Sequence, residues 1–374
     1  MFKILSVIKL NLNLTPHTER SRSVNHWFRL RSTSLKTFPE RSRRDSLSKR
    51  QQVLESNLRF FMSKYQALPL RTRLFAKLTA SSDYLAKAPD AFLKSFQQAG
   101  VNPLLGRVLF GKNETMARIV EQKVPCEAGD VTVRCYYPVL DVDLPVILFF
   151  HAGGWVIGNL ETHDALCRRI AKLTGCLVIS VDYALAPWVK YPVPVLQGEA
   201  VLQWVMSQGA AIHANPQKII VMGDSAGGNL SAVLARKYRQ DILAQVLIYP
   251  ILDATLTSQS VQQYSDAPVL SKKMVQFFVD CYIRTQADKY QEDVSPLFAT
   301  DFNNLPPCLM ITGEFDILRE DGFAYVQKLK AAGNSTQHEH YPDIHGFISL
   351  PYLCASTQEA TQAVVKFVKE KTSI

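Results

Sequence analysis

The chain has 374 residues, 47% hydrophobic and 20% charged, with 17 Gly and 19 Pro. This is globular usage, which excludes a collagen-like, disulfide-stapled or wholly disordered chain. The net charge of +9 is confined to one end. Residues 1–50 hold 12 of the 42 basic and 3 of the 33 acidic residues, which leaves 30 of each in residues 51–374. A neutral body has no field to draw it to phosphate backbones, so no nucleic acid is expected as a partner. No run of about 18 apolar residues occurs, so no stable membrane insertion is expected.

The elements fall in a clear order along the chain. Residues 1–14 mix apolar positions with Lys9 and later polar residues, and they lack the unbroken apolar stretch of a signal peptide. Residues 15–50 are rich in Ser and Arg. They read as a disordered basic tail in preference to a transit peptide, because such a segment buries too little apolar surface to order itself. ERSRS at 19–23 is echoed by ERSRR at 40–44, a near-repeat that also fits a start placed too far upstream, with Met62 as an internal start.

Residues 51–120 place apolar residues at i, i+3 and i+4, with Pro69, Pro89 and Pro103 as punctuation. They are expected to be helices that cap the rest of the chain. Residues 121–374 are expected to be the catalytic domain. VTVRCYY (131–137) alternates, and the apolar runs VILFF (146–150), CLVISV (176–181), KIIVMG (218–223), QVLIYP (245–250) and CLMIT (308–312) follow. Helical stretches are expected at 163–174, 194–208, 226–239 and 320–332, with a last strand at HEHYP (338–342) and a last helix at 356–371. Apolar strands alternating with amphipathic helices predict an α/β fold whose mostly parallel sheet is covered on both faces. Residues 253–300 are too many for a simple crossover and read as a second cap insertion. Ligands bind outside the strand carboxyl ends in such sheets, so both caps would roof the site.

The seven cysteines (126, 135, 167, 176, 281, 308 and 354) are scattered, odd in number and without a CxxC pair. Neither a disulfide framework nor a structural metal site has this spacing; reduced thiols in a cytoplasmic protein do.

Chemistry concentrates in four places. Gly223-Asp224-Ser225-Ala226-Gly227 sits between an apolar strand and a helix, the context of a nucleophile elbow that exposes Ser225. His151-Ala152-Gly153-Gly154-Trp155 directly follows the strand VILFF, where a glycine-rich loop can aim backbone N–H groups at a developing oxyanion. A base should follow in chain order. His345, between the last strand and the last helix, is better placed than His163, His213, His338 or His340. For the acid, Asp316 follows CLMIT, with Glu314 and Asp321 as rivals and Asp343 too close in sequence to His345.

In this order the motifs resemble the hormone-sensitive-lipase-like carboxylesterases of the α/β-hydrolase fold. HAGGW is similar to that family's HGGG loop, GDSAGGN to its elbow and VDYALAP (181–187) to its DYRLAP segment. YSDAPVLS (264–271) and SPLFA (295–299) resemble its cap-region landmarks, GEFDILRED (313–321) its acid segment and DIHGF (343–347) its histidine segment. The resemblance runs from about residue 60 to the C-terminus. It implies Ser225 as nucleophile, Asp316 as acid and His345 as base, with Gly153, Gly154 and Ala226 donating to the oxyanion. It also implies a small-molecule ester substrate of short to medium acyl chain, no metal and no organic cofactor, and it admits a homodimer. Other acyl hydrolases (amidase, formamidase, lactone hydrolase) and a non-catalytic ligand receptor share the fold. Three departures stand out: Ala152 for the first loop glycine, and Ala184 and Trp188 for the family's Arg and Glu. The first would strain the loop if it required a positive φ. The other two remove the charged pair that would brace the segment.

Overall fold

A computed structural model describes residues 63–79, 85, 88, 90–98 and 103–373. The tail expected at 1–50 and the start expected at Met62 lie outside the described residues.

Eight strands form one sheet: β1 (Arg118–Val124), β2 (Val131–Tyr137), β3 (Leu144–Phe150), β4 (Leu177–Asp182), β5 (Ala214–Asp224), β6 (Ala244–Ile248), β7 (Cys308–Phe315) and β8 (Thr336–Ile344). Their spatial order is β1-β2-β4-β3-β5-β6-β7-β8. β1–β2 and β2–β4 are antiparallel, and every other neighbouring pair is parallel. The strands read as continuous apolar runs are the central ones. β3 is buried at every position, because helices cover both of its faces. Each fully buried Val, Leu or Ile in such a strand contributes about 1.5–3 kcal/mol.

The sheet begins at Arg118, ahead of the boundary expected at 121. Arg118–Val124 is a strand, which the expectation of helices throughout 51–120 missed. Its sequence, RIVEQKV, is exposed or half-buried at six of seven positions, as suits an edge strand with solvent on one side.

Ten helices are described: α1 (Leu70–Thr79), α2 (Asp90–Gln97), α3 (Pro103–Phe110), α4 (Leu160–Thr174), α5 (Val193–Gln208), α6 (Ala226–Lys237), α7 (Gln259–Gln263), α8 (Lys272–Tyr282), α9 (Arg319–Ala331) and α10 (Thr357–Thr372). Pro103 opens α3 instead of ending a helix, since a first-turn residue needs no amide donor. α4 packs with α10, and α5 with α6. Among the described residues, no helix is long and apolar enough to cross a membrane.

Two segments outside the sheet reach the loop after β3. From α2, Gln97 Nε2 donates to the carbonyls of Val156 and Ala186 at 2.7 and 2.9 Å. From α8, Tyr282 stacks on Trp155 with ring centroids 4.3 Å apart and planes 5° from parallel.

Candidate active site

The site grows from the end of β5. Asp224 is the last strand residue, α6 starts at Ala226, and Ser225 turns the corner with φ 55° and ψ −116°. That backbone region is costly for a residue with a side chain, and strain of this kind concentrates at functional positions. The turn is tight because α6 lies directly on β3. A Cβ on Gly227 would come 1.9 Å from the Phe150 carbonyl oxygen, so only glycine fits there. Ser225 N–H donates to the Ile248 carbonyl at 2.9 Å, which ties the corner to β6.

Three expected residues meet at this corner, brought from three strand ends. His345 Nε2 lies 2.9 Å from Ser225 Oγ, and His345 Nδ1 lies 2.7 Å from Asp316 Oδ2. All three side chains are buried. Asp316 Oδ1 accepts the Leu318 N–H at 2.8 Å, so the carboxylate is held at both oxygens. The His345 loop is pinned by Asp343, which accepts from the amides of Ile344 and Ser356 at 2.9 and 3.1 Å.

Each rival acid is engaged elsewhere. Glu314 pairs with Arg319 at 2.6 Å and with His340 Nε2 at 2.9 Å. Asp321, in the first turn of α9, accepts from the amides of Leu252 and Asp253 across the β6 loop, both at 3.1 Å. His338 and His340 both contact Thr312 Oγ1, at 2.8 and 2.9 Å, as residues of one strand face.

The three expected oxyanion donors lie on two segments, the loop after β3 and the start of α6. Ala226 is the buried first residue of α6. Gly153 and Gly154 follow β3 with φ of +132° and +62°. Ala152 is not among the residues with positive φ, so the strain expected from it is absent. The left-handed positions of the loop are Gly153, Gly154, Trp155 at φ +59° and Gly158 at φ +99°, so alanine occupies none of them.

The missing charged pair at 184 and 188 is replaced by neutral bonds. The Ala184 N–H donates to Gln197 Oε1 at 2.7 Å, and Trp188 Nε1 donates to Gln97 Oε1 at 3.0 Å. Lys94 Nζ sits 4.3 Å from the Trp188 ring centroid.

Sequence reasoning missed a second buried group below the loop. His163 Nε2 lies 3.3 Å from Asp224 Oδ1, and the Ala152 N–H points at the same nitrogen from 3.4 Å. The Tyr249 hydroxyl donates to Asp224 Oδ2 at 3.3 Å, while its ring lies 4.7 Å from the His345 ring. No spacing announces these residues; only the Asp beside the elbow serine could have flagged them. Among the described residues no group of three or more His, Cys, Asp and Glu side chains is arranged to hold a metal ion.

A family model described as an alpha/beta hydrolase fold matches residues 147–349, which run from within β3 through the Ser225 corner to the His345 loop. The chain belongs to the hormone-sensitive-lipase-like family of α/β hydrolases. It is 36% identical over 255 residues to the carboxylesterase NlhH of Mycobacterium tuberculosis, covering 65% of this chain and 80% of that one. It is 33% identical over 275 residues to an arylesterase of Saccharolobus solfataricus, covering 72% and 89%. Among solved structures, the hyperthermophilic esterase of Pyrobaculum calidifontis superposes with a TM-score of 0.70 at 33% identity, covering 77% of this chain and 94% of that one. The chain is thus a carboxylesterase-like hydrolase of the α/β fold.

Proposed function

We propose that the chain hydrolyses short- to medium-chain carboxylic esters through Ser225, His345 and Asp316. The observation that carries this reading is the unbroken pair of hydrogen bonds, 2.9 and 2.7 Å, from Ser225 through His345 to Asp316. His345 Nε2 takes the Ser225 proton as Oγ attacks the acyl carbonyl. Asp316 holds the proton on Nδ1 and stabilises the imidazolium that forms. The N–H groups of Gly153, Gly154 and Ala226 receive the oxyanion, whose charge is worth most to stabilise in a water-poor site. His345 then gives its proton to the leaving alcohol, and the acyl-enzyme forms. A water activated by the same imidazole releases the acid and restores the serine.

Helices α1 to α3 and the 253–300 insertion act in this reading as a cap. The reading is supported by the contacts of Gln97 and Tyr282 with the loop after β3. A roofed pocket suits short and medium acyl chains.

Turnover of chromogenic esters from acetate to laurate, beside matched amides and lactones, tests both parts. Ser225→Ala and His345→Ala should each lower kcat by about 10⁶ in folded protein. Asp316→Asn should cost about 10⁴. Retention of most activity by Ser225→Ala would overturn the nucleophile, and faster turnover of amides or lactones would reassign the leaving group.

A further inference from the structure

Beneath the proposed triad lies a polar cluster that ester hydrolysis does not itself require. His163 is 8% exposed, Asp224 1% and His151 not at all. Three titratable groups buried together against an active-site loop need a reason, because each costs desolvation.

The cap of α4 fixes His163. Asn159 Oδ1 accepts the Thr162 N–H at 3.1 Å, while Thr162 Oγ1 accepts the Asn159 N–H at 3.1 Å. Thr162 Oγ1 gives its own proton to the Asn159 carbonyl at 2.8 Å. It can therefore only accept from His163 Nδ1, 2.9 Å away, so that nitrogen carries a proton. His163 Nε2 is left facing the Ala152 N–H and Asp224 Oδ1 together. Among the described residues, Asp224 Oδ1 is buried with no hydrogen-bond partner of its own.

The other side of Ala152 is also held by an imidazole. His151 Nδ1 lies 2.8 Å from the Ala152 carbonyl oxygen. Burial, and then the neighbouring His163, push His151 down to about 3, so its ring is neutral and donates through Nδ1. The Ala152 carbonyl and the Gly153 N–H share one planar trans peptide and point in opposite directions. Holding that carbonyl aims the Gly153 N–H away from His151. Holding the Ala152 N–H fixes the peptide before it.

We propose that His163 is a positioning residue that clamps the loop after β3 to the cap of α4, so that the Gly153 N–H is aimed at the oxyanion when Ser225 attacks. With its Nδ1 proton given to Thr162, His163 accepts from the loop through Nε2. Asp224, one residue before the nucleophile, faces the same nitrogen and is itself steadied by Tyr249. The proposal rests on the ester-hydrolase reading above.

The test uses full-length protein, one chromogenic ester, and a trifluoromethyl ketone of the same acyl chain. The ketone forms a reversible hemiketal whose oxyanion imitates the reacting state. His163→Phe keeps a buried ring beside Phe149 but has no acceptor. It should lower kcat about 10- to 100-fold, since one lost oxyanion donor costs ~10²–10³ and this donor is only misaimed. KM should stay within about twofold, and the ketone inhibition constant should rise by the same factor as kcat falls. His163→Gln offers an amide oxygen to the Ala152 N–H and should keep kcat within about threefold. Asp224→Asn presents an N–H that competes with Ala152 for Nε2, and it should lower kcat at unchanged KM. If His163→Phe does not fold, the Gln and Asn variants decide the matter through the same two constants. A folded His163→Phe with parental kcat would overturn the proposal, as would a loss of kcat without weaker ketone binding. Ser225→Ala in the same preparation keeps the two readings apart: if it still turns over ester, the triad reading fails, whatever His163 does.

Discussion

The ring of Phe278 covers Gly154 so closely that a Cβ built there would lie 2.2 Å from Phe278 Cδ2. Gly154 also has φ +62°, where an L side chain is strained. Gly154→Ala therefore meets two obstacles, a backbone cost of roughly 1–2 kcal/mol and a clash with α8. The loop has to move, and kcat should fall by about 10² with a smaller change in KM. Adding Phe278→Ala removes the clash but leaves the φ strain. The double variant should regain part of the lost turnover, a coupling that a double-mutant cycle measures. Equal activity in the single and double variants would show that α8 does not hold the loop.

Ala152→Gly has a different expectation. Ala152 falls outside the left-handed region, so glycine relieves no strain there. The substitution adds freedom to the unfolded chain and to the loop, and should lower stability by about 0.4–1 kcal/mol. Turnover should be unchanged or lower. A several-fold rise in kcat would mean that the alanine had been holding the loop off its best geometry.

Much of this arrangement was legible in the sequence for a physical reason. β3, β4, β6, β7 and the second half of β5 are buried nearly throughout, so their apolar runs stand out from the helices between them. β1 was missed because an edge strand with charged faces, RIVEQKV, carries little apolar signal. Ser225 and His345 could be placed from strand, turn and helix order. Asp316 could not be separated from Glu314 and Asp321 without the resemblance, since all three lie in nine residues after one strand. Their different partners exist only in three dimensions. The His163–Asp224 pair was hidden for the same reason: the two residues lie on different elements, and no repeat or spacing relates them.

Gln97 carries the next prediction. Its side chain donates to the Val156 and Ala186 carbonyls and accepts from Trp188 Nε1 at 3.0 Å. Gln97→Leu keeps much of the volume and leaves two carbonyls and an indole N–H without this partner. Each lost bond in a part-buried site costs about 1–3 kcal/mol, reduced where water can enter. The melting temperature should drop by several degrees. Trp188→Phe removes only one of the three bonds and should cost much less. If the two variants melt alike, Gln97 does not bridge α2 to the loop.

Asp321 gives the clearest pH prediction. Burial first, and then the charge of Asp253, push its carboxyl up to about 8, against the opposing pull of the Leu252 and Asp253 amides and with a smaller push from Asp316. In the unfolded chain the same group titrates near the ordinary value of ~3.9. Between those two values the unfolded chain releases a proton that the folded chain keeps, so stability falls as pH rises. The contribution is whole below the unfolded value and is lost as pH rises through the folded one. Asp321→Asn keeps an oxygen for the two amides and cannot ionise. Its melting temperature should fall less steeply than the parent's from about pH 4 to 8, and it should melt above the parent at pH 8. Asp182, pushed up to about 6 mainly by burial, titrates in both proteins and cancels in the comparison. Melting curves at matched pH values decide the point. Two parallel profiles offset by a constant would show that Asp321 does not titrate in this window, and that its two amide bonds hold the carboxylate charged.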